Sequence, residues 1–139
     1  MSTTHTPRIA VVGSLNMDLV LQVQHAPGPG ETVLADALHL VPGGKGGNQA
    51  VACARQGAQV ALFGRVGDDG YGQTLRAGLD ADGIDHSGVQ TDTDTTTGVA
   101  AITVEATGQN RIVVVPGANG RFVLDAATLG AAVQGAGGL

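Results

Sequence analysis

Asn16 and Asp18 stand two residues apart, just after the apolar run Arg8-Ile9-Ala10-Val11-Val12-Gly13. In extended backbone their side chains point the same way. A carboxylate beside an amide suits vicinal hydroxyls, the carboxylate accepting and the amide donating or accepting. An Asx turn or a helix cap would use the same two residues. A second stretch, Pro42-Gly43-Gly44-Lys45-Gly46-Gly47-Asn48-Gln49-Ala50, holds four glycines among nine residues and runs into the small residues Ala50-Val51-Ala52-Cys53-Ala54-Arg55. Glycines before a helix let backbone pass close to a ligand. The helix start adds unpartnered N–H groups and the positive end of the dipole. Asn48 brings an amide, and Lys45 is the only lysine beside six arginines. A tight turn ahead of a helix is the plainer reading of the same glycines.

The elements that must hold these residues alternate. Arg8–Gly13 reads as a strand buried on both faces, at the centre of a parallel sheet, with Asn16 and Asp18 at its carboxyl end, where open α/β sheets bind ligands. Residues 19–24 read as a second extended segment, and His25-Ala26-Pro27-Gly28-Pro29-Gly30 as an irregular turn. Thr32–Val41 reads as one or two edge strands. The helix from about Asn48 ends at Gly57, where a left-handed cap belongs. Gln59–Gly64 is another buried strand. Asp68-Asp69-Gly70 caps a helix with Tyr71, Leu75 and Leu79 at four-residue spacing, closed by Gly83. A short strand follows over 84–90. Residues 98–105 and 111–115 flank Ala106-Thr107-Gly108-Gln109-Asn110 as a hairpin. Pro116 breaks it, and a last helix starts near Asp125. The reading is α/β: a Rossmann-like parallel sheet flanked by helices, with a small β-sheet lid drawn from strands within about 19–41 and 98–115.

Composition narrows the classes. The 139 residues suffice for one modest domain, with 42% hydrophobic residues, 23 glycines and 2% aromatics. Such a core implies close backbone packing. The net charge of −5 comes with no basic cluster, which argues against a nucleic-acid surface. One cysteine, Cys53, excludes an internal disulfide framework and fits a reducing cytoplasm. No run reaches membrane-span length, and no membrane partner is expected. His5, His25, His39 and His86 share no metal-ligand spacing, so no metal site is assigned. Cys53 reads as core packing and Arg111 as an exposed hairpin residue.

Six strings now fall in order: Gly13-Ser14-Leu15-Asn16-Met17-Asp18, Pro29-Gly30-Glu31-Thr32, Gly43 to Ala50, Gly67-Asp68-Asp69-Gly70-Tyr71-Gly72, Thr97-Gly98-Val99-Ala100 and Gly117-Ala118-Asn119. From about Ile9 to Asn119 the chain resembles the N-terminal half of the ribokinase-like (PfkB) sugar kinases. The Asn-x-Asp pair with the Gly-rich string points to the ribose-specific members more than to fructokinase-like or adenosine kinase-like relatives.

The resemblance implies ATP-dependent phosphorylation of D-ribose at the 5-hydroxyl, with magnesium and often a monovalent cation such as potassium. It implies that Asn16 and Asp18 hold sugar hydroxyls. Gly43, Gly44, Lys45 and Asn48 add sugar contacts, and Ile102 covers the ring. Family members dimerise through the lid sheet. The residues agree in kind: a neutral sugar needs short polar groups fixed by backbone. Lys45 is followed by glycine, so the Gly-rich stretch is no Walker A loop, and no G-x-G-x-x-G register fits. It is assigned to sugar and not to nucleotide phosphate.

The family's catalytic base is an Asp in a Gly-Ala-Gly-Asp motif far downstream, in the half that also holds the nucleotide. Gly135-Ala136-Gly137-Gly138 mimics that motif but lacks the Asp. The base is therefore expected beyond Leu139, with no catalytic residue in this chain, which is read as the N-terminal part of a single α/β domain. The 139-residue chain alone is expected to be inactive, with exposed edges and marginal stability.

Overall fold

The computed structural model describes residues 6–135. Among them the chain forms seven strands, three α-helices and one 3-10 turn, arranged as two sheets. The first is fully parallel, in the order β1 (Arg8–Val12), β4 (Gln59–Gly67), β5 (Asp85–Asp92). The second is mixed: β3 (Ala37–Gly43), β2 (Asn16–Val23), β6 (Gly98–Glu105), β7 (Asn110–Val115). Its inner strands β2 and β6 run parallel, and the outer pairs are antiparallel.

The centre of the parallel sheet is β4, not β1. After five residues β1 hands the chain to the mixed sheet, and β4 takes β1 on one side and β5 on the other. The buried side chains Val60, Leu62, Phe63 and Val66 accordingly belong to β4. β1 contributes Val11 to the core, while Val12 lies partly open.

Helix α1 (Lys45–Arg55) and helix α2 (Gly70–Ala81) are the crossovers of the parallel sheet. Both end by the same device. Gly57 and Gly83 take positive φ, 95° and 68°. Ala58 N–H then returns to Cys53 O, and Ile84 N–H to Leu79 O. The Cys53 and Leu79 carbonyls of the last turns thus find a donor, and the next strand starts at once. Leu75 and Leu79 bury the inner face of α2, and Cys53 packs partly against the same core. The third helix, α3 (Ala126–Gly135), packs on β1 and β4.

Several boundaries differ from those read in the sequence: β4 runs on to Gly67 and β5 to Asp92, and three more lie where β2, β3 and α1 begin. β2 begins at Asn16 and not at Leu19, because Asn16 already pairs with both Gly43 and Gly98. β3 begins only at Ala37, since pairing with β2 starts at Gln22↔Ala37; residues 32–36 are irregular. α1 begins at Lys45, three residues before Asn48. The 106–109 hairpin forms with Gly108 at φ 89°. Of the tail Gly135-Ala136-Gly137-Gly138, residues 136–138 lie outside the described residues, as does His5. No helix among the described residues is long and apolar enough to cross a membrane.

Candidate functional site

At one corner of the molecule β1 ends, β2 begins and β3 runs into α1. Leu15, 1% exposed, anchors the passage from one sheet to the other. Asn16 and Asp18 are the first and third residues of β2 and share one face of the mixed sheet. That face continues across the neighbouring strands. Asn16 stands between Gly43 and Gly98, Asp18 between Val41 and Ala100, and Val20 between His39 and Ile102. The glycines beside Asn16 leave room for polar side chains: the Asp18 carboxylate lies over Gly43, and the Asn16 amide over Gly98. Ile102 stands one row beyond Asp18, about 7 Å along the strand direction.

Gly43 seats the Asp18 carboxylate. A Cβ on Gly43 would lie 2.6 Å from Asp18 Cγ and 2.7 Å from Oδ1. Only a residue without a side chain leaves room there. Burial raises the Asp18 pKa above that of an ordinary carboxyl. Gly44, at φ 89°, is pressed against Ser14 O and Leu15 Cα, where a Cβ would come within 2.6 and 2.9 Å.

Two N–H groups at the start of α1, which the glycine pattern offers to a ligand, go to protein instead. Lys45 N–H donates to Ser14 Oγ at 3.2 Å, and Gly47 N–H to Ser14 O at 3.0 Å. Gly46 likewise brings the helix against protein backbone: a Cβ there would lie 2.7 Å from Gly13 Cα. The glycines of this stretch dock α1 onto the β1–β2 passage. Such a docked helix start is a poor phosphate cradle.

Lys45 and Asn48 sit three residues apart on α1, both exposed. Asn48 lines a cavity of about 510 Å³ between α1 and α2 whose wall includes Gly43 and Leu15. Asn16, Asp18, Lys45 and Ile102 are not part of that wall. The structure therefore brings Asn16, Asp18, Gly43 and Ile102 onto one sheet face. Asn48 joins them through Val41 and Gly43, which belong to both settings.

Sequence reasoning gave Asn119 no role. It lies in the 3-10 turn Gly117–Arg121, and its amide is fully engaged. Asn119 Oδ1 accepts from Leu15 N–H at 3.0 Å. Its Nδ2 donates to Leu15 O at 2.9 Å and to Asn16 Oδ1 at 2.7 Å. The partners are more than a hundred residues away along the chain, beyond the reach of any spacing pattern.

Asp69 caps α2 through Gly72 N–H at 2.8 Å, as its position before the helix suggests. It also accepts from Thr97 N–H at 2.9 Å and from Thr97 Oγ1 at 2.6 Å. Burial works against its charge, yet these bonds prevail and lower its pKa. They tie the start of α2 to the start of β6, and so hold the mixed sheet against the parallel one.

A model of the pfkB family of carbohydrate kinases matches residues 6–134. The chain belongs to that family. Ribokinase of Bacillus subtilis is 51% identical over 111 residues, which cover 80% of this chain and 38% of that protein. Deoxyribokinase of Salmonella typhimurium is 40% identical over 111 residues, covering 80% of this chain and 36% of its own. The structure of Arabidopsis thaliana ribokinase complexed with ribose and ATP superposes with a TM-score of 0.76 at 34% identity, over 83% of this chain and 38% of that one. This pfkB-family chain thus spans under two-fifths of the length of these relatives. Over the shared part it has the ribokinase fold, with a parallel sheet flanked by helices and a mixed sheet beside it.

Proposed function

We propose that this chain supplies the sugar-binding part of an ATP-dependent ribokinase, which phosphorylates D-ribose at its 5-hydroxyl. The observation that carries the reading is the Asp18 carboxylate seated over Gly43, beside Asn16, on one face of the mixed sheet. A pentose is neutral and rich in hydroxyls. A carboxylate with two acceptor oxygens and an adjacent amide suit two neighbouring ring hydroxyls. Ile102, one row on, offers an apolar surface to the ring. Lys45 and Asn48 add polar groups from the α1 side, and Gly43 and Gly44 supply backbone.

Phosphoryl transfer depends on in-line positioning and on stabilising the charge of the moving group. Holding the ring fixes the direction of the 5-hydroxyl, and that is the part assigned to this chain. ATP supplies the phosphoryl group when bound. Among the described residues no group of three His, Cys, Asp or Glu side chains comes together, and none of them is assigned to a metal. No step is therefore derived through magnesium or potassium. We assign no catalytic base to this chain and expect it to bind sugar without transferring phosphate when alone. The single unpaired cysteine and the use of ATP fit a cytoplasmic setting.

The back of the mixed sheet supports a homodimer through this lid. Leu40, Leu19, Ala101 and Val113 form one row across four strands on the side away from Asp18. Leu40 is 51% and Val113 68% exposed.

Calorimetric titration of the chain with D-ribose tests the sugar reading. Binding is expected, weakened ten- to a hundredfold by Asp18→Ala, the scale of a hydrogen bond to a charged group. The similarity to a deoxyribokinase makes 2-deoxy-D-ribose the competing ligand. Tighter binding of the deoxy sugar would replace ribose as the substrate. No heat with either sugar, or an unaltered affinity in Asp18→Ala, would remove the assignment.

A further inference from the structure

We propose that Asn119 is a positioning residue that sets the polarity of Asn16, so that Asn16 meets a sugar hydroxyl as a donor while Asp18 meets its neighbour as an acceptor. This rests on the sugar reading above for the ligand, but not for the orientation of the two amides.

The orientation follows from chemistry that allows no choice. A backbone N–H only donates and a backbone C=O only accepts. Leu15 N–H faces one end of the Asn119 amide at 3.0 Å, and that end must be Oδ1. Leu15 C=O faces the other end at 2.9 Å, and that end must be Nδ2. The second hydrogen of Asn119 Nδ2 points to Asn16 at 2.7 Å, so the Asn16 atom facing it must be the acceptor Oδ1. Asn16 Nδ2 then points the other way. It has no protein partner among the described residues, and both its hydrogens remain for a ligand.

The clamp is itself held. Ala118 N–H donates to Thr96 O at 2.7 Å, and the Ala118 side chain is fully buried. Two residues past Asn119, Arg121 Nε donates to Asp92 Oδ2 at 2.6 Å, and Asp92 also accepts from Arg65 at 2.8 Å. Gly98, opposite Asn16 on β6, leaves the space in which the two amides meet; a Cβ there would lie 2.6 Å from Asn16 Oδ1 and closer still to Asn119 Nδ2. A row of one fixed acceptor and one fixed donor recognises a diol in which one hydroxyl donates and the other accepts.

Nuclear magnetic resonance of the sugar-free chain reads the orientation directly. The side-chain NH₂ of Asn119 is expected to exchange slowly with solvent, and that of Asn16 fast. The reverse pattern, or equal fast exchange of both, overturns the proposal. Ribose titration then reads the consequence. Asn119→Asp keeps the shape and the bond from Leu15 N–H but has no hydrogens to give, so Asn16 must turn its oxygen outward. Its affinity is expected to fall about tenfold, as in Asn16→Ala, and the double variant Asn16→Ala/Asn119→Asp to fall no further. Ribose binding by Asn119→Asp equal to that of the unaltered chain, in a variant whose backbone spectrum is preserved, overturns the proposal as well. An unaltered chain that binds no ribose refutes the sugar reading alone, and the exchange pattern still decides the clamp.

Discussion

The carboxylate of Asp18 occupies the space in which Gly43 would carry its side chain. The two residues lie diagonally across the β2–β3 pair, and each needs the other as it is. Gly43→Ala forces the carboxylate to rotate away. The backbone at this position is not in the left-handed region, so the chain itself tolerates alanine. Ribose affinity is expected to drop to the level of Asp18→Ala, with the double variant no weaker than either. The thermal midpoint is expected to move by only a few degrees, which calorimetric scans of both single variants will measure.

Asp18 also carries a stability signature. Its folded pKa is raised above the ordinary 3.8 by burial. The folded chain therefore holds that proton more tightly than the unfolded one, and stability declines as pH rises from 3.8 through the raised value. Asp18→Asn is expected to melt higher than the unaltered chain at pH 7, with the gain vanishing below 3.8. A gain that persists unchanged in acid would mean that packing, and not charge, is responsible. Stability surrendered at a residue proposed to bind a ligand is a common trade.

Asp92 shows the opposite sign. Its side chain is 1% exposed, and the Arg65 guanidinium, the Asp94 N–H and Arg121 hold it well below the usual carboxylate range. Its contribution is complete above 3.8 and is lost as pH falls towards the lowered value. Asp92→Asn is expected to lower the melting temperature at pH 7, the gap to the unaltered chain closing steadily in acid. A constant gap across the titration would show that the two arginines respond to shape alone.

The proposed homodimer has its own test. Leu40→Asp with Val113→Asp places two charges in the apolar row behind the mixed sheet. Sedimentation velocity is expected to show a dimer for the unaltered chain and a monomer for the double variant. A monomeric unaltered chain at micromolar concentration would remove the dimer.

Much of this was open to reading, and the gaps have a physical pattern. Local signals survived: Gly57 and Gly83 end their helices, Asp69 caps α2, and the hairpin turns at Gly108. These devices act within a few residues, so spacing reveals them. The position of β1 did not survive. An apolar run says that a strand is buried, but not how many neighbours it has. The Gly-rich stretch was located correctly and explained only in part. Glycine marks a close approach, yet sequence does not tell whether a ligand or another stretch of backbone is approaching; here Gly46 meets Gly13. The string Gly117-Ala118-Asn119 was legible, but the role of Asn119 was not, since its partners lie in a different element.

The parallel pairing of β2 with β6 matches Asn16 to Gly98, so everything between them must be threaded before the pair can close. The β6–β7 hairpin and the β4–α2–β5 unit close over short loops and pay little entropy to form. The β2–β6 pairing, which joins the two halves of the face that carries Asp18, is the long-range step and is expected to form after these local units. A nascent chain released before β6 emerges would own Gly43, Gly44, Gly46 and Gly47 and still lack Gly98 and Asn119, the two residues that meet Asn16 from the other side.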